Sequence, residues 1–233
     1  AQLFSEVIAQ LPNSVFCWAP VDDYPLPPPR PASAPVVFAS FNNAMKLSPR
    51  TVAVWAQVLH AVAGSQLLLK APSLQDAGVR ASLLERFAEH DIAADRLILQ
   101  GPSGLADMMQ AYGGVDIALD PLPYNGGTTT LQALWMGVPV VTLAGEHFVS
   151  RMGASFLNTL GQPDCVAGDI AEYVAIAERL AGDCHSWREN RAALRARMAA
   201  SPLTDIDAWV MQLESLYQRM WGAYCRGDQQ RLL

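Results

Sequence analysis

The stretch from Val115 to Leu143 constrains this chain more than any other, because it sets an apolar run, a glycine turn, an amphipathic helix and a second apolar run in direct succession. Val115 to Asp120 (VDIALD) and Val138 to Leu143 (VPVVTL) read as buried strands, and Thr128 to Met136 as the helix between them. Two short strands joined by a crossover helix make a parallel βαβ unit. The same alternation starts at Val36. Further strands are expected at Val36 to Ser40, Gln66 to Lys70, Arg96 to Gln100 and near Cys165 to Ala167, with helices at Arg50 to Val62, Leu74 to His90, Leu105 to Tyr112 and Phe148 to Leu160. The expected fold class is therefore α/β, a Rossmann-like doubly wound parallel sheet.

The turn itself, Asn125 to Leu134 (NGGTTTLQAL), joins Gly126 and Gly127 to three hydroxyl residues, Thr128, Thr129 and Thr130, at a helix start. Glycines let a ligand approach the backbone, and free N–H groups at a helix N-terminus favour an anion. A phosphate site is one reading; a simple helix cap is the other. No Gly-Lys-Ser/Thr follows the glycines and the G-x-G-x-x-G spacing is missing, so neither a Walker loop nor a dinucleotide fingerprint is present. A second loop, Phe41 to Pro49 (FNNAMKLSP), follows the first strand and faces the same rim. There Lys46 offers the positive charge a diphosphate needs, and Asn43 an amide for a phosphate or sugar hydroxyl. Gln132 in the first turn of the helix suits hydroxyl recognition, while Lys70, Glu146 and His147 end strands or open loops on that side and can equally be solvated or helix-capping.

Composition excludes several classes. The chain has 233 residues, 51% of them hydrophobic, enough for a large core. A net charge of −6 without a basic stripe argues against nucleic acid. Charged residues make up only 16%, which leaves room for a covered surface. The cysteines, Cys17, Cys165, Cys184 and Cys225, form no C-x-x-C pair, so neither zinc nor a disulfide framework is indicated and reduced, buried thiols are expected. The adjacent Cys184 and His185 lack a pocket signature, and Asp205 and Asp207 read as helix-start acids rather than metal ligands. No run of about 18 apolar residues and no leader pattern is seen; a cytoplasmic protein without membrane contact is the expectation.

Both ends differ from the middle. Tyr24 to Pro35 carries prolines at 25, 27, 28, 29, 31 and 35 and reads as an extended linker. Leu3 to Pro20 holds a short helix pattern and a strand-like run at Ser14 to Trp18. Residues 1–35 are thus expected to be a trailing segment of another lobe plus a linker, 36–200 the nucleotide-binding domain, and 201–233 a C-terminal helix from near Thr204. Its apolar stripe, Ile206, Trp209, Leu213, Leu216, Met220 and Tyr224, is wider than one Rossmann layer requires.

The strings FNNAMKLSP, RLILQGPSGLADMM and VDIALDPLPYNGGTTTLQALWMGVPVVTLAGEHFVSRMGAS, with the final helix, resemble the C-terminal lobe of the O-linked N-acetylglucosamine transferase family in its SPINDLY-like branch, over Phe4 to Gly227. The resemblance implies the C-terminal half of a GT-B glycosyltransferase, inverting and metal-independent, that moves N-acetylglucosamine from a UDP donor to Ser/Thr of an acceptor protein. It implies that Lys46, Thr128 and Thr129 hold the UDP diphosphate, that Gly127 precedes them where some members have histidine, and that Asn43 stands where a glutamine touches the donor. It implies that Gly101 to Ala106, including Ser103, lines the base. Gln132 replaces a ribose-binding acid, Met108 a common histidine, and a basic residue is missing near Ala111. The implied acid/base groups belong to an N-terminal lobe and tetratricopeptide repeats, neither of which this sequence contains, so no catalytic residue is assigned here and the lobe alone is expected to bind UDP without turning it over. The competing expectations are a degenerate nucleotide-binding or protein-interaction module, and a nucleotide-sugar epimerase of the same architecture.

Overall fold

The computed structural model describes residues 8–227. Six parallel strands form one sheet: β1 Val37–Ser40, β2 Gln66–Lys70, β3 Leu97–Gln100, β4 Ile117–Leu119, β5 Val140–Leu143 and β6 Val166–Ala167. Their order is β3-β2-β1-β4-β5-β6, the doubly wound order whose switch point falls between β1 and β4. Register is set at Ala39 opposite Leu68 and Ala118, and at Thr142 opposite Val166. Every residue of β1, β4 and β5 is buried, which is why they read as continuous apolar runs without alternation.

The helices are α1 Pro49–Ala61, α2 Ala77–Ala88, α3 Leu105–Ala111, α4 Thr128–Trp135, α5 Met152–Thr159, α6 Ile170–Gly182, α7 Cys184–Glu189, α8 Arg191–Ala199 and α9 Ile206–Cys225. Local chemistry fixes several starts. Ser48 caps α1 by accepting from Thr51 N–H, with Pro49 as its first residue. The helix expected over Leu74 to His90 is split into a 3-10 turn, Pro72–Gln75, and α2, because Asp76 caps a new helix through Val79 N–H. The one expected over Phe148 to Leu160 divides likewise into a 3-10 turn, Phe148–Ser150, and α5. Pro139 has no N–H to give, so β5 begins at Val140.

Helices α6, α7 and α8 have no counterpart among the expected elements. Their signal was present: Asp169 caps α6, and Tyr173, Ile176, Ala177 and Leu180 recur on one buried face. The Gly182 to Asn190 stretch reads as polar in sequence, yet its Arg188 is almost wholly buried.

Residues 24–35 contain neither helix nor strand, and they are not a free tether. Tyr24 is 5% exposed within the core, and its carbonyl accepts from Arg195 at 2.6 Å. Arg188 donates to the carbonyls of Pro31 (2.7 Å) and Ala34 (3.1 Å). The same guanidinium makes a two-point pair with buried Asp116 at 2.8 and 2.9 Å, and Arg30 from the proline segment adds a second cation to that carboxylate. Of the Leu3 to Pro20 segment, expected to hold a short helix pattern, residues 3–7 lie outside the described residues, residues 8–20 contain no helix, and Ser14 to Trp18 forms no strand. Trp18 N–H bonds to Leu203 carbonyl at 2.8 Å instead, tying this end of the chain to the approach to α9.

Candidate functional site

The carboxyl ends of β1 and β4 diverge at the switch point, and the two loops that leave them build the site. After β1, Asn43 caps a 3-10 turn, Ala44–Lys46, by accepting from Met45 N–H at 3.0 Å. That turn swings Lys46 across to the β4 loop, where its Nζ donates to Asn125 carbonyl at 2.8 Å and to Asn42 Oδ1 at 3.2 Å. The ammonium also lies 4.2 Å from the ring centroid of Tyr124. Burial pushes its pKa down, and the Asp120 charge works against that shift.

Opposite Lys46, Gly127 caps α4, and Thr128 and Thr129 occupy its first turn. The first N–H groups of a helix have no partner within it, and the backbone bonds from Thr130 and Leu131 back to Gly127 carbonyl are the first that α4 makes. Thr129 Oγ1 donates to Asn42 Oδ1 at 3.0 Å, so Asn42 bridges the lysine and the threonine turn. An ammonium, a hydroxyl row and a helix N-terminus thus share one rim, an arrangement suited to a diphosphate.

The structure separates the other expected contacts. Asn43 is exposed and spends its carbonyl on a cap, whereas its neighbour Asn42, 8% exposed, faces the site. Thr130 is turned away from the rim: it is 4% exposed and its hydroxyl donates to Asp120 inside the core. The Gly126 N–H is likewise not available to a ligand, since it donates to Asp120 Oδ1 at 2.5 Å. Gln132 is 7% exposed within α4, leaving little of its amide toward the crevice. Ser103 is exposed on the loop after β3, where Lys70 braces Gly101 carbonyl at 3.2 Å; two strands separate β3 from β4.

Asp120 and Asn42 had no distinguishing sequence signal. Asp120 closes the β4 run like any strand-end acid, and only the fold shows that Thr130 and Thr142 both aim hydroxyls at it, at 3.3 and 2.7 Å. Burial pushes its pKa up to about 6, against the pull of Gly126 N–H, Thr142 and Lys46.

Beside the turn, past Leu122 and Pro123, an open cleft of about 850 Å³ lies at the ends of β4 to β6. Glu146 and His147 line this cleft rather than the Lys46 rim, and His147 opens the Phe148–Ser150 turn by exchanging bonds with Ser150. Cys184 and His185 form no dyad with a pocket: His185 pairs with Glu189 at 3.5 Å on the exposed side of α7. Asp205 is the α9 cap, accepting from Ala208 N–H at 3.0 Å. All four cysteines are free; Cys165 is buried, whereas Cys225 is exposed, contrary to the expectation of buried thiols throughout. Among the described residues no cluster of three potential metal ligands occurs and no helix is long and apolar enough to cross a membrane.

The sequence profile of glycosyl transferase family 41 matches residues 11–213. The chain belongs to that family. Over 226 residues it is 39% identical to a probable UDP-N-acetylglucosamine-peptide N-acetylglucosaminyltransferase SPINDLY from Oryza sativa, a match covering 96% of this chain and 24% of that protein. It is 31% identical over 219 residues to the UDP-N-acetylglucosamine-peptide N-acetylglucosaminyltransferase of Caenorhabditis elegans, covering 94% of this chain and 18% of the other. Among solved structures, a mutant O-GlcNAc transferase from Thermobaculum terrenum superposes with a TM-score of 0.86 at 33% identity, over 97% of this chain and 43% of that one. A sucrose-phosphate synthase from Thermosynechococcus elongatus, at 0.57 and 19% over 83% of this chain and 47% of its own, shares the fold alone. The family 41 chain described here spans about a quarter of the length of the SPINDLY relative. Its doubly wound sheet is that of the C-terminal GT-B lobe.

Proposed function

We propose that this chain is the donor-binding lobe of a protein O-glycosyltransferase, taking UDP-N-acetylglucosamine and serving transfer to Ser/Thr of an acceptor protein. The observation that carries this reading is the meeting of Lys46 with the Thr128/Thr129 start of α4 across the β1/β4 switch point. When a glycosidic bond to a nucleoside diphosphate breaks, the departing phosphate gains charge. Donors already aimed at that charge are worth about 2.7–4 kcal/mol each in enzymes where one has been removed. In this lobe those donors are the Lys46 ammonium, the Thr128 hydroxyl and the first amides of α4, with Asn42 accepting from both Lys46 and the Thr129 hydroxyl and holding them in register.

The proton-transfer groups and the acceptor groove belong, on this proposal, to the rest of a longer protein, and α9 packs against that remainder. Residues 1–35 then lead in from the other lobe, and 36–200 form the nucleotide-sugar domain. The test is calorimetric titration of UDP, GDP and UDP-N-acetylglucosamine into this chain, with Lys46→Ala alongside. Saturable binding that Lys46→Ala weakens at least about tenfold, the loss expected for a charge-assisted bond, supports the donor lobe. Absence of binding to a folded chain would favour the interaction-module reading, which the buried Gln132 and the missing base-side groups at Met108 and Ala111 motivate.

A further inference from the structure

The Asn125–Gly126 peptide is held from both of its ends. Its carbonyl accepts from Lys46 Nζ at 2.8 Å, and its N–H donates to Asp120 Oδ1 at 2.5 Å. A peptide's C=O and N–H point in opposite directions, so the two contacts together fix its rotation. We infer that Asp120 is the positioning residue of the donor turn: by accepting the Gly126 N–H it sets the peptide orientation that hands Lys46 a carbonyl and leaves the first amides of α4 free for a diphosphate.

The surroundings are shaped for this. Asp120 is 1% exposed and its side chain is met by donors, with Oδ1 taking Gly126 and Thr130 and Oδ2 taking Thr142. Two glycines leave the space. A Cβ on Gly126 would stand 2.2 Å from Thr130 Oγ1, and one on Gly153 at the start of α5 would stand 2.4 Å from Asp120 Oδ2. The backbone of Asp120 is fixed as well, since its carbonyl accepts from Tyr173 Oη at 3.0 Å and Tyr173 accepts in turn from Trp55 Nε1 at 3.2 Å. A carboxylate this enclosed cannot touch the ligand; it acts through the peptide it holds.

This inference rests on the donor-lobe reading for its consequence but not for its geometry, and the experiment separates the two. The first measurement is the Gly126 amide resonance of the whole chain by NMR. It should titrate with Asp120, near pH 6, and stop titrating in that range in Asp120→Asn, which keeps an acceptor of the same shape. Lys46 from the β1 loop and Tyr173 from α6 are the other titratable groups facing this carboxylate. A Gly126 amide that is flat through that range, or that titrates equally in the variant, overturns the clamp whether or not any nucleotide binds. The second measurement is UDP-N-acetylglucosamine affinity, whose diphosphate diester does not titrate in this window. Asp120→Leu, which removes every acceptor, should lose at least about tenfold, with Asp120→Asn recovering most of it; equal affinity in Asp120→Leu overturns the positioning role. Should Asp120→Leu fail to fold, the Gly126 amide titration in wild type and Asp120→Asn decides the contact, and nucleotide-sugar affinity measured in wild type on either side of pH 6 decides the positioning role: it should change through that range in wild type and stay flat in Asp120→Asn, and a flat wild-type profile overturns the role. Wild-type chain that binds no nucleotide sugar, with the Gly126 amide still titrating, would instead remove the donor reading and with it the positioning role, leaving a clamp that is structural.

Discussion

Asp120 costs the folded chain something at neutral pH. Its pKa is pushed from 3.8 up to about 6 because burial outweighs the donors around it. A carboxyl with a raised folded-state pKa binds more protons folded than unfolded between those two values, so its contribution is fully present below the lower one and is lost as pH rises through about 6. At 1.36 kcal/mol per unit the loss approaches about 3 kcal/mol. Asp120→Asn lacks this titration, so the variant should gain stability relative to wild type as the pH goes from 4.5 to 7.5. Urea unfolding of both proteins at the two pH values checks it; a constant difference would show that Asp120 is not raised. A residue kept at such a cost is what a positioning role would explain. Sequence alone gave little of this. Lys46, Thr128 and Thr129 stand out because their types announce anion chemistry, but choosing Asn42 over Asn43 requires knowing that Asn43 caps a turn, and Thr130 looks like its two neighbours until the helix phase turns it inward.

At the scale of elements, the amino ends of the strands are held by one helical pair. Arg188, Arg191 and Arg195, three and four residues apart across α7 and α8, share a face and donate to backbone carbonyls of the proline segment, of Tyr112 and Val115, and of Trp135 and Met136. Arg188 also satisfies Asp116, whose Oδ2 accepts from Val37 N–H at 2.8 Å. Removing one partner of a buried ion pair costs about 3–5 kcal/mol. Arg188→Ala should fall in the lower half of that range, since Arg30 remains beside Asp116, with the loss read by chemical denaturation. Gly137 belongs to the same contact: its φ is +69°, and a Cβ would come within 2.6 Å of Arg191. Gly137→Ala is therefore expected to destabilise by more than about 1 kcal/mol, because it meets both the left-handed backbone and the Arg191 backbone; a thermal midpoint equal to wild type would refute this. Buried strands were legible from their apolar runs, whereas α7 and α8 were not, since arginines that bond carbonyls inside a fold look in sequence like solvent-facing ones.

Across the whole molecule, the site and the Arg188, Arg191 and Arg195 cluster lie at opposite ends of the strands, and α9 stands apart from both. Of its apolar residues Leu216 and Ala223 are buried, while Met211, Tyr217, Trp221 and Tyr224 are 63%, 59%, 67% and 62% exposed. The wide stripe of α9 faces the body only in part: Trp209 Nε1 donates to Ser14 carbonyl at 3.3 Å, while Tyr217, Trp221 and Tyr224 along its edge stay outward. An apolar helix face left partly in solvent favours being covered. The chain alone should therefore self-associate as its concentration rises, and Met211→Ser with Trp221→Ser should return it to monomer without changing nucleotide affinity. Analytical ultracentrifugation reads the first effect and calorimetry the second; a wild-type monomer at high concentration would count against an uncovered face.

What the sequence determined by itself is the class of fold and the place of a turn suited to an anion. Apolar runs of strand length broken by helical periods admit little but a parallel sheet, and a glycine-threonine turn after such a run speaks for phosphate. Both are local patterns, set by neighbours in the chain. The tertiary structure alone decided which polar groups face the rim and which are turned into the core beneath it. Asp120 meets Thr142, and Lys46 meets Asn125, across separations that the strand order closes and that no local pattern encodes. The same holds for the proline segment, which reads as a linker until three arginines, more than 150 residues further on, are found bonded to it or to the core beneath it.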